Sequence, residues 1–134
     1  MKVWKIASRW SDNGNSGSSV LDLFKKFKIA FVFNDKIRVN EVEIGDLLAI
    51  SDGLKIVSIG KVLSKVTPVE DFHISELDAY NEDGCSVGFK IELLNLKESD
   101  IIDYGKWKRF HQLHNEVQSR IVKLWEQNNS IKIG

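Results

Sequence analysis

Short apolar runs cut by turn residues, with helical spacing in only two places, constrain this chain more than any other feature. Val3 to Ala7 alternates between two sets of side chains and is rich in β-branched and aromatic residues, which reads as a strand. Residues 11–19 are built from Ser, Asp, Asn and Gly and read as a loop, with Ser18 or Ser19 placed to cap a helix. In that short helix Val20, Leu21, Leu23, Phe24 and Phe27 recur at helical spacing. Lys25, Lys26 and Lys28 occupy its last turn, where cations suit the helix dipole. Ile29 to Phe33 is a continuous apolar run of strand length, broken by Asn34-Asp35. Residues 36–43 read as strand or connector. Gly45-Asp46 turns the chain into a buried-looking strand over Leu47 to Ile50. Ser51-Asp52-Gly53 is a tight turn and Lys55 to Leu63 its hairpin partner, with Gly60 marking a bulge or a close approach.

Pro68 ends this block. Residues 68–86 are acidic and polar, with one helical turn expected around Ser75 to Tyr80. Val87 to Leu96 reads as a strand and residues 97–105 as a connector. From Trp107 onward, Phe110, Leu113, Val117, Ile121, Leu124 and Trp125 recur every three or four residues, which predicts an amphipathic helix ending near Asn128-Asn129. Consecutive strands joined by hairpin-like turns, with helices early and late, predict an α+β fold. Its sheet is expected to be a mostly antiparallel curved sheet or small β-barrel of about five or six strands, flanked by helices, with a long C-terminal helix. A doubly wound parallel fold needs helices alternating with strands, and they do not alternate here. The 134 residues suit a single domain spanning 1–134.

Several chemistries are excluded by the residues present. There is no phosphate-binding glycine loop, no dinucleotide glycine pattern and no Gly-x-Ser-x-Gly. Cys85 is the one cysteine, so zinc ribbons, zinc fingers and an internal disulfide are ruled out, and a cytoplasmic setting is expected. No apolar run approaches the ~20 residues that span a bilayer, and no signal-peptide pattern opens the chain, so no membrane association is expected. His111 and His114 sit three apart on the expected last helix without a third ligand. The acidic residues Glu70, Asp71, Glu76, Asp78, Glu82 and Asp83 lack calcium-loop spacing and read as a solvated loop. Nothing orients Cys85 toward His73 or another histidine as a nucleophile pair. The expectation is therefore a non-enzyme with no cofactor and no metal.

Formal net charge is zero but segregated. Residues 1–65 carry 11 basic and 7 acidic side chains, residues 66–103 carry 2 and 10, and residues 104–134 carry 6 and 2. If the two ends of the chain meet in space, one face is basic and can steer a polyanion; otherwise these are solvated charges on a neutral domain.

A reader of a flipped base needs flat aromatic faces beside polar groups that match the base edge. Trp10 sits before Ser11 and Asp12 in the glycine-rich loop, where it either walls a pocket or folds back as a lid on the core. Trp4 lies inside a strand and reads as core. Phe31 and Phe33 share a strand face and read as core or as pocket wall. Trp125 belongs to the helix stripe. Trp107, beside Lys106, Lys108 and Arg109, reads as an aromatic near phosphates or as an anchor for the helix start.

The order of these segments resembles the EVE and YTH branch of the PUA-like superfamily. Val3-Trp4-Lys5-Ile6-Ala7-Ser8-Arg9 is similar to the opening Tyr-Trp-Leu-Met-Lys-Ser-Glu of EVE domains at Trp4 and Ser8. Ile29 to Asn34 is similar to the family's Trp-x-Gly-Val-Arg-Asn at Val32 and Asn34, with Ile29 and Phe33 standing where the family has Trp and Arg. Gly45-Asp46 matches the Gly-Asp before the next strand, with Ser51-Asp52-Gly53 in place of Tyr-His-Ser. The resemblance covers about residues 2–95 and is nearest to divergent prokaryotic EVE-like modules, some fused to modification-dependent restriction enzymes. It implies binding of DNA or RNA through one base, modified or unmodified.

The expected site then has Trp10 with Phe31 or Phe33 as walls. Ser8, Ser11, Asp12, Asn34, Ser51 and Asp52 would contact the base edge. Arg9, Arg38, Lys106, Lys108 and Arg109 would hold phosphates. The alternative is a protein-interaction or sensor module of a prokaryotic defence or regulatory system, docking a restriction or regulatory partner through the acidic 70–83 stretch or the last helix without touching nucleic acid.

Overall fold

The computed structural model describes residues 1–9, 19–33, 39–81, 86–105 and 110–133, leaving aside the side chains of Phe33 and of residues 129–133. The elements are β1 (Val3–Ala7), α1 (Leu21–Phe27), β2 (Ile29–Phe33), β3 (Leu47–Asp52), β4 (Lys55–Val62), β5 (Thr67–Pro68), β6 (Ser86–Asn95), β7 (Ile102–Asp103), β8 (Phe110–Leu113) and α2 (Asn115–Ile133). They form an α+β fold whose mixed sheet curls into a half-barrel in the order β2-β6-β4-β3-β1-β8. Short β5 pairs with β6, and β7 pairs with β4. Every named strand pair is antiparallel except one: β1 runs parallel to β3, from Val3 opposite Leu47 to Ala7 opposite Ser51.

That central pair is covered on both sides, so its sequence is apolar almost without interruption, as buried parallel strands usually are. The inner face of the curl holds Trp4, Ile6, Leu48 and Ile50 with Phe24, Phe31 and Phe89. The outer face holds Val3, Leu47, Ala49 and Ile59 under Ile121, Leu124 and Trp125 of α2. Helix α1 stops at Lys28, whose left-handed φ of 55° turns the chain directly into β2. Gly53, at φ 65°, makes the tight β3–β4 turn. The bulge in this hairpin lies between Ile50 and Ser51, where Val57 slips out of register. Gly60 is instead a close approach: a Cβ there would stand 3.0 Å from Ile91 Cδ1.

One buried carboxylate ties the start of the parallel pair. Asp46 Oδ1 accepts the Lys2 N–H at 3.0 Å, and Oδ2 accepts the Trp4 indole N–H at 3.1 Å and the Glu43 N–H at 2.9 Å. The backbone repeats the tie, with Leu47 N–H donating to Lys2 O and Val62 N–H to Asp46 O. Gly45, at φ 96°, lets the chain turn immediately before this residue.

The last helix begins at Asn115, not near Trp107. Phe110 to Leu113 is β8, paired antiparallel with β1. Phe110 stacks on Trp4 with ring centroids 5.3 Å apart, while Leu113 joins the outer cluster. A three-residue spacing fits one helix face, but it also fits two faces of a strand. Pairing along the free edge of β1 decides for the strand. His111 consequently lies in a strand and His114 in the link to α2, so they do not share a helix face.

Two stability predictions follow from the centre of the sheet. Asp46→Ala strips three donors of their acceptor, two of them backbone; chemical denaturation should show a loss of about 3 kcal/mol. Lys5 is fully buried in β1, and burial pushes its pKa from 10.5 down to about 8. Between those values the unfolded chain binds more protons than the folded one. Lys5 therefore makes stability rise with pH across that window, and its full cost is present below pH 8. Lys5→Met should stabilise the protein at pH 7, with the difference from wild type shrinking toward pH 10. Parallel urea melts at the two pH values test this.

Candidate functional site

Because β1 and β3 are parallel, their C-terminal ends lie together, and four of the residues singled out in the sequence meet there. The Ser8 N–H donates to Ser51 O at 2.8 Å, and the Ser8 hydroxyl donates to the same carbonyl at 2.8 Å. One residue further along, Arg9 Nε donates to Asp52 Oδ1 at 2.7 Å in a half-exposed ion pair. The approach does not depend on Gly53, since a Cβ there would make only ordinary contact with Arg9, 3.7 Å from Nε.

The same point anchors the start of α1. Arg9 and Ser19 form a β-bridge, Val20 N–H donates to Ser8 O at 2.6 Å, and Ser19 Oγ accepts the Leu21 N–H at 3.2 Å. Residues 9 and 19 thus stand side by side at the end of the parallel pair. Ser51 is 1% exposed, and among the described residues its hydroxyl has no hydrogen-bond partner. Buried hydroxyls are nearly always partnered, so this one is unusual.

The other expected site residues are placed differently. Phe31 is fully buried, its ring edge-on to Phe24 at 5.0 Å and tilted against Tyr80 at 5.8 Å. It is core in this structure, and the reading of Phe31 as an open pocket wall is corrected accordingly; the continuous apolar run is inward-facing because the curl closes over it. Phe33 pairs with Ser86 through its backbone. Trp10, Ser11, Asp12, Asn34, Arg38, Lys106, Lys108 and Arg109 lie outside the described residues, as do Trp107 and Cys85.

A second polar group sits on the outer face and carries no sequence signal. His111 of β8 stands opposite Lys5 of β1. The Tyr104 hydroxyl lies 2.5 Å from His111 Nε2, with the rings stacked at 5.6 Å and 19°. Tyr104 is held from below by its N–H, which donates to Leu54 O at 2.7 Å. Burial raises the Tyr104 pKa, which favours the neutral phenol. Lys, His and Tyr together can move protons. With Lys5 fully buried, what this group does here is fasten the stretch after β7 onto β8. A separation of seven positions between Tyr104 and His111 and an unforeseen β1–β8 pairing hid it from sequence reasoning.

Elsewhere the surface is of mixed charge. Lys26 of α1 meets Glu76 at 2.8 Å, so part of the acidic 66–103 stretch neutralises the lysine-rich end of α1. An open groove on α2 is lined by Asn115, Glu116, Ser119, Arg120 and Lys123, with Arg120 3.8 Å from Asp100. Among the described residues no three His, Cys, Asp or Glu side chains come together as metal ligands, and no helix is long and apolar enough to cross a membrane. Compared with known proteins, the chain matches no family model and no curated sequence.

Proposed function

We propose that this chain is a PUA-like, EVE-type domain that binds nucleic acid and holds one base, modified or unmodified, at the C-terminal end of the β1–β3 pair. The observation that carries the reading is the meeting there of Ser8 and Arg9 with Ser51 and Asp52, around a buried Ser51 hydroxyl that has no partner among the described residues. A hydroxyl can donate to or accept from a base edge. The Asp52 carboxylate accepts from exocyclic amino groups, and the Arg9 guanidinium matches a phosphate or a guanine edge. Trp10 follows Arg9 directly and is the aromatic face proposed to stack on the base.

The family resemblance adds support of a different kind. Two of its short matches, Trp4 and Gly45-Asp46, are bonded to each other through the indole N–H and the carboxylate. Motifs that are separate in sequence thus serve one structural purpose, that of aligning β1 with β3. The proposed activity is recognition without catalysis, in a cytoplasmic setting.

Titration of tryptophan fluorescence with short DNA and RNA oligomers, unmodified and methylated, tests the reading. Asp52→Asn and Trp10→Ala should each weaken binding about tenfold or more while the folded state persists by circular dichroism. Arg9→Ala should flatten the salt dependence by about one charge. Unchanged affinity in folded Asp52→Asn and Trp10→Ala variants would remove the base site from this end of the sheet.

A further inference from the structure

The end of the sheet away from Ser8 and Ser51 presents a surface of another kind. Gly45 N–H donates to Val62 O at 2.8 Å, Leu63 N–H to Lys90 O at 2.8 Å, Lys90 N–H to Ser64 Oγ at 2.9 Å, and Ile91 N–H to Lys28 O at 2.9 Å. These bonds bring Lys28, Ile44, Leu63, Lys65 and Lys90 to one corner, where α1 ends, β4 ends and β6 joins the main sheet. Ile44 is 60% exposed and Leu63 50%, whereas the core takes up most other large aliphatic side chains. All three lysines are exposed, and among the described residues none has a carboxylate within salt-bridge distance. The nearby acids face other partners: Glu43 lies 3.7 Å from Lys2, and Glu92 stands opposite Lys61.

We propose that this corner docks a segment of a partner protein carrying acidic residues on either side of an apolar side chain. Ile44 and Leu63 supply the area that leaves water, and the three uncompensated lysines supply orientation and a faster encounter. Charge complementarity selects an acidic occupant. Branched aliphatic side chains offer no face for a base to stack on, and the rim holds lysine rather than the arginine that grips phosphate in a fork, so a peptide fits better than a nucleic acid. The hydrogen bonds that shape the corner are backbone bonds or involve Ser64, so the five side chains can be changed without unfolding it. The surface stands at the opposite end of β3 and β4 from the proposed base site and does not depend on it.

The test is an amide NMR titration of the full chain with a short peptide of repeated Glu-Asp-Leu, run beside the same peptide with each Leu replaced by Ser. Shifts are expected around Lys28, Ile44, Leu63 and Lys90 with the leucine peptide. Leu63→Ser should weaken that binding about tenfold, as loss of one buried leucine contact does, and the double variant Lys65→Glu with Lys90→Glu should abolish it. An absence of shifts at this corner would overturn the proposal. So would equal binding of the serine peptide, or tighter binding there of oligothymidylate or phosphatidylglycerol vesicles.

Discussion

The parallel pairing of β1 with β3 is the constraint on which the rest of the structure depends. Parallel neighbours cannot be joined by a tight turn, and here 39 residues separate Ala7 from Leu47. Local geometry gives this pair no register, so it must be fixed by contacts at its ends. At the start, Asp46 gathers Lys2, Trp4 and Glu43 on one carboxylate. At the finish, Ser51 O receives two donors from Ser8. A slip of one residue would turn Trp4 and Ile6 from the inner core to the outer one and break both ties. The same pairing brings the polar residues after β1 beside those after β3, so the candidate site is a consequence of the register rather than a feature added to it.

The outer face shows what that arrangement costs. A strand buried on both sides has no solvent face on which to place a polar residue, yet β1 carries Lys5 at its centre. A buried ammonium is tolerated only where its surroundings offset part of the lost hydration. His111 opposite it and Tyr104 beyond make this the polar part of an otherwise apolar face. Residues that contradict their local environment are expected where a fold meets a functional demand. The outer cluster around Val3, Leu47 and Trp125 lies next along the same face.

Much of the fold was legible in the chain. The strands over Val3 to Ala7, Ile29 to Phe33, Leu47 to Asp52, Lys55 to Val62 and Ser86 to Asn95 follow apolar runs bounded by Gly, Asn and Asp, and the 3-10 helix at Ser75 to Tyr80 lies where one helical turn was expected. The pairing of those strands was not legible, because a parallel contact across some 40 residues leaves no periodic trace. Helical spacing misled at Phe110 and Leu113, where a free edge of β1 outweighed the pattern. At the site, Ser8, Arg9, Ser51 and Asp52 were visible as polar residues ending apolar runs. Phe31 was ambiguous, since an apolar side chain on a strand carries no mark of which way the sheet will curl. Asp46 was visible only as half of a Gly-Asp match; its three-fold acceptor role depends on Lys2 and Trp4 arriving from the other end of the segment.

The two ends of the sheet are connected by strands that have little freedom to move relative to one another. β3 and β4 share a hairpin ladder, β3 is locked to β1, and the core covers both faces of the trio. Energetic coupling between distant sites needs an element with two discrete arrangements, and a close-packed, fully paired strand trio is a poor candidate for one. Occupancy at the lysine corner should therefore leave affinity at the Ser8–Ser51 end nearly unchanged. Joining the two ligands in one partner would raise overall affinity through effective concentration instead, by bringing an already tethered molecule to the second surface. On this argument the β1–β3–β4 trio holds its two ends at a fixed separation, so the two proposed surfaces act independently.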